Sequence, residues 1–234
     1  MDSNKTSNFL NIKNIFESIS SEYDFMNDLM TFKNHSKWKK EIAEIAKYSS
    51  PTKILDIATG TGDIAINLSK INGSKIEGVD VSENMLKIAR KKIDKLKIDN
   101  ISLKTCEAEN LFFNDNQFDI ISIGYGVRNF SDLEKGLSES YRVLKKNGKL
   151  IILETSIPEN RLIRLLYTFI TSIYIPLIAF IFSGKTKAYL YLLESTKNFP
   201  AKNKFLEILS KTGFKEVETR RKLYGASTIY IASK

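Results

Sequence analysis

The sequence predicts an α/β fold, a mostly parallel sheet with helices on both faces. Three observations carry that prediction. From Pro51 onward, short apolar runs alternate with stretches of helical spacing. A glycine loop sits between the first such strand and the first such helix, in "ILDIATGTGDIAI". The 234 residues, 42% of them apolar and 11% aromatic, are enough for one α/β core with a small addition.

In chain order, residues 9–49 read as helices, with apolar positions at Phe16, Ile19, Phe25, Met26 and Leu29. "KILDIA" is a strand and "DIAINLSK" a helix. "KIEGVD" is a strand, and "SENMLKIARKKI" a helix capped by Ser82. "ISLKTCE" and "FDIISI" follow as strands. In "SDLEKGLSESYRVL", Ser131 and Glu134 have the spacing of a capping box. "KLIILE" is the next strand. Residues 160–212 are helical again, with Pro200 near a first turn and Gly213 after a last turn. "KEVETRR" and "STIYIA" close the chain as a strand pair joined by "KLYG". The predicted organisation is a single domain over 1–234. It comprises an N-terminal helical region (9–49), a ligand-binding core (51–155), a helical cap (160–212) and the final strand pair (214–232).

Composition narrows the function classes. The lone cysteine, Cys106, allows no disulfide within the chain and fits a reducing compartment. The first residues lack a basic start followed by an apolar run, so no secretory signal is read there. The formal charge of +9 favours anionic partners, but the lysines are spread widely, as on a solvated surface. Leu162 to Phe182 is long and nearly uncharged. Arg164, Pro176, Thr168, Thr171 and Ser172 interrupt it, which favours a buried or membrane-facing cap helix over a membrane span.

The glycine loop is the first chemical signal. Gly60 and Gly62 let a ligand lie against bare main chain. Residues 60–65 also fit the dinucleotide pattern G-x-G-x-x-A, with Asp80 about twenty residues on, so NAD is one reading. Asp56, at the strand end before the glycines, argues for S-adenosylmethionine instead. A carboxylate there can face a ligand's amino group, whereas it would repel a pyrophosphate. The closing strand pair also fits a methyltransferase sheet. Asp80 suits a ribose diol in either cofactor, and a glycine turn with capping acids and no ligand is the third reading. No set of Cys, His or carboxylates has metal-ligand spacing, so no metal is expected.

"LDIATGTGD" followed by "GVDVSENML" resembles the first two motifs of class I S-adenosylmethionine-dependent methyltransferases. Three further stretches resemble one family within that superfamily, the ubiquinone/menaquinone-biosynthesis C-methyltransferases. They are "FESISSEYDFMNDLMTFKNHSKWK", "YGVRNFSDLEKGLSESYRVLKKNGKLIILE" and "YLYLLESTKNFPAKNKFLEIL". The resemblance implies a Rossmann-like seven-stranded sheet. It also implies methylation of a ring carbon of a polyprenylated quinol, with demethylmenaquinol preferred.

The resemblance places cofactor contacts at Thr61, Asp80, Glu107, Ala108 and Gly124, beside Asp56, Gly60 and Gly62 from the residues themselves. Gly124 stands where some members have serine, and Thr59 where many have cysteine or glycine. A quinol carbon becomes nucleophilic when an adjacent hydroxyl loses its proton, so the site needs a base or a phenolate stabiliser. Arg128 is expected to stabilise the phenolate or hold a water, and Asn129 to orient the ring oxygen. Tyr23, with Asp24 and Asn27 at helical spacing, would close over the site as part of a substrate lid formed by 9–49. His35 is expected at the surface, and Cys106 as a small strand residue.

Arg161, Arg164, Lys185 and Lys187 flank the apolar stretch and suit peripheral contact with an anionic membrane. The expected setting is the cytoplasm, at the inner face of the membrane. Self-association is left open. Two other readings compete: an RNA methyltransferase, prompted by charge but lacking a basic strip interleaved with aromatics, and a non-catalytic S-adenosylmethionine-binding protein. Nucleic acid is not expected as a partner.

Overall fold

The computed structural model describes residues 3–31 and 33–234, with backbone alone for residues 3–9. Met1, Asp2 and Phe32, which belong to the predicted N-terminal region, lie outside the described residues. Three helices come first: α1 (Ser3–Ile19), α2 (Tyr23–Thr31) and α3 (Asn34–Lys47). The alternating core is β1 (Lys53–Ile57), α4 (Asp63–Leu68), β2 (Lys75–Asp80), α5 (Glu83–Lys95), β3 (Ile101–Thr105), β4 (Phe118–Gly124), α6 (Leu133–Val143) and β5 (Leu144–Thr155). The helical insertion carries α7 (Arg161–Phe169), α8 (Ile175–Ile178), α9 (Thr186–Asn198) and α10 (Lys202–Thr212), before β6 (Lys215–Lys222) and β7 (Ser227–Ser233).

The seven strands form one sheet in the order β3-β2-β1-β4-β5-β7-β6. Pairs from β3 to β5 are parallel, and β7 is antiparallel to both neighbours. The sheet is buried on both faces, so β1 and β4 read as nearly continuous apolar runs. One core, including Leu55, Ile121 and Leu150, lies under α6 and α10. The other, including Ile54, Ile120 and Ile151, lies under α3 and α4. Each fully buried aliphatic side chain contributes roughly 1.5–3 kcal/mol. Strand order reverses between β1 and β4, and a crevice opens outside their carboxyl ends.

Local details differ from the sequence reading in three places. β3 ends at Thr105, so Cys106 and Glu107 lie beyond it. The residue capping α6 is Asp132, whose Oδ1 accepts from the Lys135 N–H at 3.1 Å. Ser131 lies one residue before the cap, and its N–H and hydroxyl both donate to Glu109. The apolar stretch is helical from Arg161 to Ser183, with wider π-helical turns at Ile170–Tyr174 and Ala179–Ser183. Pro176 cannot donate the N–H that a regular helix needs, and the first wide turn directly precedes α8.

A third apolar cluster joins the N-terminal helices to the insertion. Ile19 and Met26 pack with Ile178, Ala179, Ala188 and Tyr189, and with Met85 of α5. Only 17% of the most apolar window of the Arg161–Ser183 run is buried, however, at a mean hydropathy of 2.1. By length and composition this run could cross a bilayer. Of the two forms expected for this cap helix, buried or membrane-facing, the buried one fails for most of its surface.

Met26 is fully buried where α2 meets the insertion. Met26→Ala should cost about 2–5 kcal/mol locally. Amide exchange should accelerate in α1 and α2 while β1 and β4 stay protected. Uniform acceleration would show that α1 and α2 are not a separately opening unit.

Candidate functional site

The loop after β1 needs unusual backbone. Ala58, Gly60 and Gly62 have φ of 54°, 56° and 84°. A Cβ on Gly60 would meet nothing within 4 Å, so glycine there answers a conformational demand and leaves open space above the chain. At Gly62 a Cβ would also lie 3.0 Å from the Ala89 Cβ, so glycine lets α5 approach.

Two carboxylates fix this loop. Asp80 ends β2 and accepts from the Gly60 N–H at 2.8 Å and the Ser82 N–H at 2.9 Å. Burial pushes its pKa up to about 6. Asp56 ends β1 and accepts from the Thr59 hydroxyl at 2.6 Å and the Ser122 hydroxyl at 2.5 Å. Burial pushes it up to about 6 as well. Asp56 is fully buried and does not line the cavity, contrary to the expected ligand contact. Its oxygens are taken by the loop and by β4, so it braces the site from beneath.

The cavity lies in the crevice between β1 and β4. Gly60, Asp80, Ala108, Gly124, Tyr125 and Asn129 line it, with Met85, Cys106, Glu109 and Phe130. Ile12 and Phe16 of α1 and Tyr23 of α2 close it. Thr61 lines an adjoining recess with Tyr23 and Tyr125. Gly62 and Glu107 line neither. Glu107 is exposed, and Glu109 turns inward instead, drawn by the Ser131 N–H at 2.6 Å and its hydroxyl at 2.9 Å. A Cβ on Gly124 would lie 2.2 Å from Ile64 Cδ1, so the bare backbone there also admits a protein side chain.

The loop after β4 is clamped from below. Glu154, at the end of β5, is fully buried, and the Arg128 side chain is 8% exposed. Arg128 Nη1 donates to Glu154 Oε1 at 2.5 Å and to the Tyr125 carbonyl at 2.9 Å. Its Nε donates to Ser195 Oγ of α9 at 3.2 Å, and its own N–H to Glu154 Oε2 at 3.2 Å. Burial opposes the Arg128 charge, but Glu154 outweighs it and the pKa is raised. Arg128 lines neither the cavity nor the recess. It holds in place the residues that do.

Tyr125 takes a left-handed φ of 56°, strain of the kind kept at functional sites. Asn129 Nδ2 bonds the Tyr125 carbonyl at 3.4 Å, while its buried Oδ1 has no partner. An unpaired buried acceptor is costly, about 1–3 kcal/mol, unless a ligand donor meets it.

The N-terminal helices are pinned over the cavity by charge. Asp24 accepts from the Thr61 hydroxyl at 2.6 Å and pairs with Lys92 at 2.6 Å. Lys92 also pairs with Asp63 at 2.7 Å, and Lys39 with Asp63 at 2.8 Å. Burial alone would raise Asp63, but the two lysines outweigh it and hold its pKa at about 2. Glu17 of α1 accepts from the first N–H groups of α5, Glu83 at 2.8 Å and Asn84 at 3.2 Å, a favourable place for an anion. Asn27 lines neither the cavity nor the recess. His35 is 3% exposed, not at the surface as expected. Its Nε2 meets Asp28 Oδ1 at 2.8 Å, and burial lowers its pKa. Cys106 lines the cavity rather than filling a strand. Tyr125, Glu109 and Glu154 are the residues that the sequence reading missed. Glu154 carried a signal, since its apolar strand ends in an acid as those of Asp56 and Asp80 do.

Residues 1–234 match the ubiE/COQ5 methyltransferase family. The chain belongs to this family. Demethylmenaquinone methyltransferase of Chlorobaculum parvum is 40% identical over 227 residues, covering 95% of this chain and 92% of that protein. The same-named protein of Bacteroides fragilis is 36% identical over 225 residues, with the same shares covered. Ubiquinone/menaquinone biosynthesis C-methyltransferase of Rickettsia bellii is 40% identical over 230 residues, again covering 95% and 92%.

Among solved structures, a methyltransferase from Methanococcus maripaludis superposes with a TM-score of 0.64 at 21% identity, covering 93% of each chain. One from Thermotoga maritima gives 0.63 at 23%, covering 95% of this chain and 99% of that one. They share the class I methyltransferase fold. This ubiE/COQ5 member is thus an S-adenosylmethionine-dependent methyltransferase. Its cavity fits the cofactor: bare backbone at Gly60, a carboxylate at Asp80, and apolar Met85 and Phe16.

Glu154→Ala leaves the buried Arg128 charge unpaired and should destabilise the protein by about 3–5 kcal/mol in denaturant unfolding. A loss below about 1 kcal/mol would mean that water reaches the guanidinium. Asp80 can serve a ribose diol as an ionised acceptor only above its pKa of about 6. Cofactor affinity, measured by calorimetry, should therefore fall as pH drops through that value, by about tenfold per unit below it. Asp80→Asn should bind more weakly and lose that dependence.

Proposed function

We propose that this chain methylates a ring carbon of a polyprenylated quinol, converting demethylmenaquinol to menaquinol. The observation that carries this reading is the set of relatives named for that reaction, matched over 95% of the chain. The relative named for both quinones, at 40% identity, supports a second reading, a ubiquinone-pathway quinol.

S-adenosylmethionine supplies an electrophilic methyl group. Gly60, Thr61 and Asp80 would hold it beneath the lid, with Ala108 beside its ring system. The protein's task is to align the quinol carbon, favour loss of a hydroxyl proton and exclude water. Asn129 Oδ1, buried without a partner at the cavity, would accept from a ring hydroxyl. Arg128 supplies fixed positive charge behind the Tyr125–Asn129 loop. Walled off from the cavity, it would act on the phenolate through space or through an ordered water. Glu154 keeps that charge in place, so no reorganisation is needed when the phenolate forms. Tyr23, over both the cavity and its recess, would cover the bound ring.

A prenyl tail must come from a bilayer. The exposed apolar run is suited to peripheral contact there, at the cytoplasmic face. This accounts for an apolar surface that a freely diffusing enzyme would rarely expose.

The test is incubation with labelled S-adenosylmethionine and, separately, demethylmenaquinol, a ubiquinone-pathway quinol and bulk RNA, with mass analysis of products. The expected result is a new methyl on the ring carbon of demethylmenaquinol. Label in RNA would overturn the reading. Asn129→Ala should lower kcat by about 10–100-fold while cofactor still binds. Unchanged kcat would remove Asn129 from the chemistry.

A further inference from the structure

A second cavity opens at the root of the apolar run, outside the cofactor cleft. It lies where the segment after β5 meets the junction of α9 and α10. Arg164, Lys197, Lys202 and Arg221 line it. Glu159 is its one lining carboxylate, and Arg221 holds it at 2.7 Å. Arg164 donates to the carbonyls of Pro158 and Glu159, at 2.8 and 3.0 Å. Neutral carbonyls orient that guanidinium without cancelling its charge. Lys197 and Lys202 pair with no acid among the described residues. The first turn of α10 also borders the cavity and has no side-chain cap.

The apolar stripe starts beside this cavity. Leu162 and Leu165, flanking Arg164, are 78% and 70% exposed. Leu166, Phe169, Ile173, Leu177 and Phe180 continue the stripe at helical spacing, all exposed. At its far end Lys185 is neutralised by Glu22 at 2.8 Å. Lys187 is the remaining cation at that end, whereas Arg164, Lys197 and Lys202 cluster at the near end.

We propose that this second cavity binds the phosphate of an anionic phospholipid while the stripe lies among its acyl chains, seating the insertion flat on a bilayer. This rests on the membrane reading above and adds a site and a ligand class to it. Charge selects the occupant. A zwitterionic headgroup brings a cation that this lining repels, and an anionic one does not. A free phosphate would fill the cavity but leave the stripe uncovered.

Sedimentation with vesicles of phosphatidylcholine alone, or mixed with phosphatidylglycerol, tests this. The wild-type protein should bind the mixed vesicles. The double variant Lys197→Gln/Lys202→Gln should lose at least about tenfold in affinity for them. The control Lys91→Gln/Lys95→Gln removes the same charge from the exposed side of α5 and should lose far less. Equal losses would overturn the site in favour of a diffuse field. Displacement by soluble glycerol phosphate would overturn the lipid and leave a free-phosphate site. Turnover of a short-tailed quinol in detergent is read separately and should be unchanged in Lys197→Gln/Lys202→Gln. Its absence in the wild-type protein would defeat the proposed reaction and leave the vesicle result intact.

Discussion

The cleft depends on one interaction, the capture of two backbone N–H groups by the Asp80 carboxylate. Gly60 belongs to the loop after β1, and Ser82 to the start of α5. By holding both, Asp80 fixes the glycine loop against the end of β2 and sets where α5 begins. The loop could not stay in its left-handed backbone without such restraint, since loop residues lose considerable entropy on ordering. The carboxylate that anchors the loop also borders the cavity, so loop geometry and the shape of the cavity rest on the same atoms.

The same device recurs along the sheet. Asp56 ends β1 and Glu154 ends β5, each fully buried and fully engaged. Buried carboxylates are unfavourable unless their lone pairs are used, and here donors come from loops that would otherwise be free. Asp56 takes hydroxyls, Asp80 takes backbone N–H groups, and Glu154 takes a guanidinium with a backbone N–H. What differs is the charge left over. Asp56 and Asp80 face no bonded cation, so burial raises their pKa. Glu154 carries Arg128, and the pair places a fixed cation behind the buried Asn129 Oδ1, which has no partner among the described residues.

The sheet was legible in the sequence because parallel strands are buried on both faces and read as unbroken apolar runs. The glycine loop and Asp80 were legible because left-handed backbone restricts residue choice. Other features were set by partners far along the chain. Glu107 and Glu109 lie two residues apart in an irregular segment, and which one turns inward is decided by donors on Ser131. His35 sits in a charged run, yet α3 buries it against Asp28, and no local pattern shows that. Asp56 was placed correctly at a strand end, but its donors, Thr59 and Ser122, come from two different strands' loops and neighbours.

The N-terminal helices connect the glycine loop to the helical insertion. On one side, Asp24 grips Thr61 in the glycine loop and Lys92 of α5. On the other, Glu22 accepts from Ser183 at 2.9 Å and pairs with Lys185, while Phe25 meets Phe182 edge-on at 5.9 Å. Glu22 and Asp24 stand two residues apart, at the turn between α1 and α2. A displacement of the Arg161–Ser183 run that breaks the Glu22 contacts leaves Asp24 held by the core. A displacement that carries the N-terminal helices along must break a charge network that includes Lys92 and Asp63. The second is much the costlier, because it strands partly buried charges. The polar contacts thus tie the N-terminal helices to the glycine-loop core, and the apolar cluster around Met26 lets the insertion pack against them.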